Sequence, residues 1–248
     1  MANRKNISAK AHKVLTTAAA LGLEVLWPTR CAICDAHGQL LCDQCRRQLP
    51  YIDANQACPR CGAPFGATVC TECNDEALSL FELNEFPFQQ MASAVALTDH
   101  SRRLVTVFKD SGEQRLAAPL ARIMADCTPP AWVAAGAAVT FVPATRRARL
   151  ERGFDHMELV TAAYSDAAGL PALHLLEVGA SHDQRQLGRR QRAANMAQRF
   201  ALRAGAEVPE TVIVLDDVAT TGATLFAAAQ TLRAAGAKTL YALTFARA

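Results

Sequence analysis

Residues 212–225 read Val212-Ile213-Val214-Leu215-Asp216-Asp217-Val218-Ala219-Thr220-Thr221-Gly222-Ala223-Thr224-Leu225, passing from an apolar run through an acidic pair into a loop of small hydroxylic residues. The four leading apolar residues predict a short, fully buried strand over 211–216. Asp216 and Asp217 then fall at its carboxyl end. Leu225 to Ala235 predicts a helix over 223–235, closed by Gly236. A loop that feeds the amino terminus of a helix offers unpaired N–H groups and the positive end of the helix dipole. Gly222 permits close backbone approach, and the threonine hydroxyls add donors. Ala219, Thr220, Thr221, Gly222, Ala223 and Thr224 therefore read as a phosphate cradle. Two carboxylates beside it suit the paired hydroxyls of a ribose, or a bound Mg²⁺. An ordinary strand-to-helix turn with a capping threonine rarely needs both acids and all three threonines. A Walker B strand would need a G-x-x-x-x-G-K-[ST] loop elsewhere, and the sequence has none.

Working outward, apolar runs alternate with helical patterns. Strands are expected at 91–98, 137–142, 172–178, 211–216 and 239–245. Helices are expected at 101–109, where Leu104, Val105 and Phe108 share a face, and at 113–125, 154–168 and 223–235. This alternation predicts an α/β domain, a parallel sheet with helices on both faces. Ligands of such sheets bind outside the carboxyl ends of the strands. Two basic segments reach the same edge. Arg146, Arg147, Arg149 and Arg152 follow the 137–142 strand and suit a polyanion, or else a solvated helix start. Arg185, Arg189, Arg190, Arg192, Arg199 and Arg203 lie in an expected helical stretch, 183–203, whose only acid is Asp183. His156, His174 and His182 show no metal spacing, and His174 reads as a structural strand residue.

Eight of the nine cysteines form four C-x-x-C pairs: Cys31/Cys34, Cys42/Cys45, Cys58/Cys61 and Cys70/Cys73. Each pair presents two thiolates to one ion, and two pairs complete a tetrahedral site, so the eight suit two structural Zn²⁺ ions. Disulfides need an oxidising compartment, and nothing else in the sequence supports secretion. Sequential sharing gives two tandem ribbons and interleaved sharing a cross-brace; sequential sharing is the expectation. His37 lies inside the first ribbon loop as a solvated residue. Cys127 stands alone and is expected to be buried.

The composition, 51% hydrophobic with a formal charge of +3, provides for a core without marking a nucleic-acid binder. Aromatics at 6% leave few stacking platforms for bases. The amino end is basic and then apolar over 14–23, like a signal peptide in outline, but Glu24 interrupts the run. It is too short for a membrane span. An amphipathic lead-in helix over 1–28 is the preferred reading, followed by the cysteine module at 29–76, a linker at 77–90 and the α/β domain at 91–248.

The 212–225 stretch resembles the phosphoribosyl pyrophosphate (PRPP) motif of type I phosphoribosyltransferases. The whole chain is similar to the ComF/GntX family. The residues that carry this are Trp27-Pro28, the four cysteine pairs, Lys109-x-x-Gly112, Val142-Pro143, Arg152-Gly153-Phe154-Asp155, Gln186-Leu187 with Arg192 and Asn195, and Asp216-Asp217 with Thr220-Thr221-Gly222. The resemblance implies a double zinc ribbon before a type I phosphoribosyltransferase-like domain, in a bacterial cytoplasmic protein. It implies a role in natural competence, the uptake of transforming DNA, or in gluconate utilisation. It places Asp216 and Asp217 on the ribose hydroxyls, Ala219 to Thr224 around the 5′-phosphate, and Pro143 to Arg147 in the pyrophosphate loop. Arg146 or Arg147 would face the diphosphate, with Lys109 near the site and Gln186 to Asn195 in a closing loop. Mg²⁺ would accompany PRPP. Where many members carry Asn-Gln after Gly-Phe, this chain has Asp155-His156.

The chemistry so implied is displacement of pyrophosphate from C1 of PRPP by an acceptor that no residue names. A different expectation is a single-stranded DNA-binding competence factor with a regulatory or vestigial PRPP site. Competence-machinery proteins are then further partners.

Overall fold

The computed structural model describes residues 28–81, 83–179 and 199–248. The expected lead-in helix therefore lies outside the described residues but for Pro28, as does the basic stretch from Asp183 to Gln198. The chain divides into two compact units, 1–48 and 49–248. The division falls between the two pairs of cysteine pairs, so the second half of the cysteine module shares a unit with the sheet.

In the first unit, Cys31 to Gln48 forms one ribbon. Its knuckle turns through Asp35 at φ 62° and is tied by an Arg30–His37 bridge. The short helix α1 (Asp43–Arg47) follows, with the Cys42 side chain accepting from the Cys45 N–H at its amino end.

The second unit is built on a four-stranded parallel sheet. Its strands are β1 (Gln90–Ala96), β2 (Ala138–Phe141), β5 (Thr211–Ala219) and β6 (Thr239–Arg247), in the order β1–β6–β5–β2. The β5 strand is central and nearly all apolar because both of its faces are covered. Val212 and Val214 pack with Leu240 and Ala242 against α8 (Ala223–Ala234). The alternate residues face helices α4 (Ala117–Asp126) and α7 (His156–Ala168), which also pack on each other. A second, two-stranded antiparallel sheet joins β3 (Leu176–Val178) to β4 (Phe200–Leu202).

Several boundaries differ from expectation for identifiable reasons. Helix α3 (Asp99–Lys109) starts two residues early because Thr98 and Ser101 form a capping box. The 172–178 strand is regular only over β3, with Ala172 making one bridge to Val139. Residues 200–202 are strand, not helix, because they pair with β3. Within 91–248 two short helices were not anticipated, α5 (Pro130–Ala134) and α6 (Arg146–Arg152). The α6 segment has no buried side chain; it is set by Thr145, whose hydroxyl accepts from the Ala148 N–H, and by Gly153 at φ 81°. The aromatics expected in a linker are packed: Phe81, Phe86 and Phe88 surround Phe226 of α8, with ring centroids 5.4, 5.8 and 6.5 Å away.

The second ribbon is stitched to this sheet. Its helix α2 (Asp75–Ser79) buries Leu78. The Met91 N–H of β1 donates to the Arg60 carbonyl at 2.8 Å. A Cβ on Gly62 would meet the Met91 carbonyl at 2.8 Å, so only glycine fits that approach.

Candidate functional site

Strand β5 continues three residues past its expected end, so Asp216 and Asp217 are inside the strand and point to opposite faces. Asp216 is 9% exposed. One of its oxygens accepts from the Asp217 N–H at 2.9 Å. Burial, together with the neighbouring Asp217 charge, raises its carboxyl to about 8. Asp217 behaves oppositely. Burial opposes its charge, but a His156 hydrogen bond and the Lys109 ammonium outweigh burial and hold it below the ordinary carboxylate range. His156 Nε2 lies 2.7 Å from Asp217 Oδ2, and Lys109 Nζ pairs with the same oxygen. The two carboxyls thus differ in kind: burial and its neighbour disfavour the charge on Asp216, while His156 and Lys109 favour it on Asp217.

The supporting shell has a local logic. Lys109 ends α3, whose buried Leu104, Val105 and Phe108 fix the helix and swing Lys109 to the strand end. Asp155, 4% exposed, caps α7 by accepting from the Met157 N–H at 3.0 Å, and its other oxygen accepts from the Ala144 N–H at 2.9 Å. This one carboxylate fixes the loop after β2 and sets His156 in the first turn of α7. Arg152 then lies between His156, at 3.5 Å, and Asp110, at 3.6 Å. Sequence reasoning left His156 without a role. The available signal was its position: the residue after a capping Asp, in a helix that starts just behind the β2 loop.

The expected cradle is a tight turn. Gly222 adopts φ 77°, and the Phe226 N–H donates to its carbonyl at 2.9 Å. The Ala223 N–H donates to the Thr221 hydroxyl at 3.4 Å. Arg199 donates to the Thr224 hydroxyl at 3.2 Å, which sets a cation beside the first turn of α8. Ala219 and Thr220 turn their carbonyls to Arg247. The structure thus joins Lys109 to Asp217, two residues ahead of the 219–224 loop. Arg146 and Arg147 are placed otherwise. Arg147 is exposed and pairs with Glu151 at 2.7 Å. Arg146 lines a cavity of about 660 Å³ with Arg149, Phe154, Glu158, His174 and Arg203 among others.

The cysteines gather as two sequential sets, Cys31, Cys34, Cys42 and Cys45, then Cys58, Cys61, Cys70 and Cys73. In the second set the Sγ separations of 3.4 to 3.6 Å are close to the ~3.8 Å edge of a tetrahedron with Zn–S of about 2.3 Å. Cys34 and Cys42 of the first set are 3.8 Å apart. Backbone N–H groups point at the sulfurs, Cys42 N to Cys31 at 3.5 Å and Cys70 N to Cys58 at 3.4 Å. Burial resists ionisation of Cys31 and Cys58, but such N–H bonds prevail and bring them to about 6 and about 7. Burial and their sulfur neighbours push Cys45, Cys61 and Cys73 up. Four crowded thiols, with Cys31 in one set and Cys58 in the other favoured as anions, fit a divalent cation, whose charge allows all four to ionise. The eight cysteines provide two Cys₄ zinc sites.

Among the described residues no helix is long and apolar enough to cross a membrane. Comparison with known proteins bears on the amino-terminal part and on the chain at large. Residues 22–77 match the double zinc ribbon domain family. The chain is 29% identical over 191 residues to the DNA utilization protein YhgH of Salmonella typhi, an alignment spanning 74% of this chain and 80% of that protein. Both similarities support a ComF-like protein.

Proposed function

We propose that this chain is a PRPP-binding, phosphoribosyltransferase-like protein that works in the handling of incoming DNA. The observation that carries the PRPP reading is the placing of Asp216 and Asp217, the latter held by Lys109 and His156, at the carboxyl end of the central strand, directly ahead of the Thr220-Thr221-Gly222 turn. Two carboxyls at the strand's end, one toward each face, suit the hydroxyls of a ribose bound across that end. The 219–224 loop, with Arg199 beside it, suits the 5′-phosphate. Asp217 is engaged by Lys109 and His156, so Mg²⁺ is read as arriving on the diphosphate, neutralising it as a leaving group, rather than as a resident of the acidic pair.

In this reading the acceptor displaces pyrophosphate at C1 through an oxocarbenium-like transition state. Ionised Asp217, near the sugar, favours the developing positive charge. Binding energy from the 5′-phosphate, remote from C1, orients the reacting centre. The DNA-handling part rests on the similarity to a DNA utilization protein. A second reading, direct binding of single-stranded DNA, is favoured by the exposed Arg146, Arg147 and Arg149 of α6 and by Arg203.

Titration calorimetry with PRPP and Mg²⁺ tests the first reading. Zinc-loaded protein binds, and Asp216→Asn/Asp217→Asn binds at least tenfold more weakly. An unmoved affinity in the double variant sinks the reading. Binding to an oligonucleotide that weakens steeply with salt, and further in Arg146→Gln/Arg149→Gln, would bring the second reading forward.

A further inference from the structure

Arg247, the last residue of strand β6, is 3% exposed, and neither the acidic pair nor the thiol clusters account for it. Its guanidinium faces two ways. Nη1 donates to the carbonyl of Ala219 at 3.1 Å and to that of Thr220. Nη2 pairs with Glu72 Oε2 at 2.6 Å. Glu72 sits between Cys70 and Cys73, within a knuckle of the second thiol cluster.

A planar trans peptide sets its C=O and the following N–H in opposite directions. With the carbonyls of Ala219 and Thr220 both turned to Arg247, the N–H groups of Thr220 and Thr221 point away from it. Thr220 and Thr221 are exposed, so these N–H groups face the open side of the loop. Successive N–H groups aimed outward at the start of a helix form an anion-binding concavity. The guanidinium that holds them is itself held by a carboxylate whose backbone depends on the thiol cluster. The Cys73 N–H donates to the Cys70 carbonyl at 3.4 Å, and the Cys70 N–H to the Cys58 sulfur.

We propose that Arg247 is a positioning residue for the 219–224 loop and that Glu72 ties its hold to the zinc knuckle, so that the second ribbon sets the loop's affinity for a phosphate-bearing ligand. The identity of that ligand as PRPP rests on the preceding reading; the positioning does not.

The test compares full-length, zinc-loaded wild type with Glu72→Gln, Arg247→Lys and the exposed control Glu76→Gln. Amide hydrogen exchange is read at 219–224 and at the core amides 212–215, and PRPP–Mg²⁺ affinity by calorimetry. Zinc content is expected to stay at two equivalents. In Glu72→Gln and Arg247→Lys, exchange at the hydrogen-bonded amides of 219–224, Ala223 among them, rises about tenfold, 212–215 stay as in wild type, and PRPP binds about tenfold more weakly, the scale of one charged hydrogen bond. A merely structural role would move both segments together, and that result overturns the proposal. So does exchange at 219–224 within twofold of wild type in both variants, or faster exchange with unchanged affinity. If wild type fails to bind PRPP, the PRPP reading falls while the exchange data still decide the role of Arg247.

Discussion

Two adjacent aspartates in one strand have their chemistry pulled apart by their neighbours. Asp217 meets Lys109 and His156, whereas Asp216 is buried and accepts from the Asp217 N–H. The sign of the resulting pH dependence follows. Asp216 has a folded value raised to about 8, so between the ordinary carboxylate range and that value the native state holds a proton the unfolded chain has released. Its stabilising contribution is complete at low pH and is lost as pH rises toward about 8. Asp217, lowered, contributes above the ordinary range and loses that contribution as pH falls below it. The melting temperature of wild type is therefore expected to decline from weakly acidic to weakly alkaline pH, and Asp216→Asn, neutral throughout, to flatten that decline. A variant with the same slope as wild type would place the raised group elsewhere. His156→Ala is expected to release Asp217 upward toward its ordinary range, read by carboxyl NMR titration, and to weaken PRPP binding severalfold. An Asp217 titration unmoved by this change would show that Lys109 alone sets it.

At the scale of elements, the turn between β5 and α8 is the most constrained. Gly222 has φ 77°, and a Cβ there would meet the Phe226 ring at 3.0 Å. Gly222→Ala combines a left-handed backbone with displacement of a ring at the centre of an aromatic cluster, and is expected to cost about 1–3 kcal/mol in chemical unfolding. A cost near zero would mean the ring moves freely. This turn was legible in the sequence because the apolar run, the acids and the glycine each carry a local signal. Strands β1, β2 and β6 and helices α3, α7 and α8 were legible through period and caps. What was not legible has physical causes. Helix α6 buries nothing, so no apolar stripe announced it; Thr145 and Gly153 were its only signals. The β4 strand is three residues at the end of a stretch read as helical, and it is specified by its pairing with β3. The His156–Asp217 and Glu72–Arg247 contacts span 61 and 175 residues, and no local pattern encodes such separations.

Across the molecule, eight cysteines that look like one repeated module divide between two compact units. The sequence shows the repeat but not the asymmetry, which lies in what surrounds each set. Cys58, Cys61, Cys70 and Cys73 are all buried and belong to the same apolar cluster as Phe88, Met91 and Val214. In the first unit Cys34 is exposed and Cys42 half-buried. Loss of a ligand should therefore have unequal consequences. Cys61→Ser and Cys34→Ser are each expected to reduce zinc content from two equivalents to one. Cys61→Ser removes metal from within the core that carries β1 and α8. It is expected to lower the main thermal transition by about 10 °C or more, because a structural zinc site contributes several kcal/mol and each kcal/mol shifts a domain of this size by about 2–4 °C. Cys34→Ser is expected to leave that transition within about 2 °C of wild type, since its ligand set is enclosed by the other unit. Equal shifts from the two substitutions would mean that the ribbons melt as one body, and the second ribbon's attachment to the sheet would then carry no separate energetic weight.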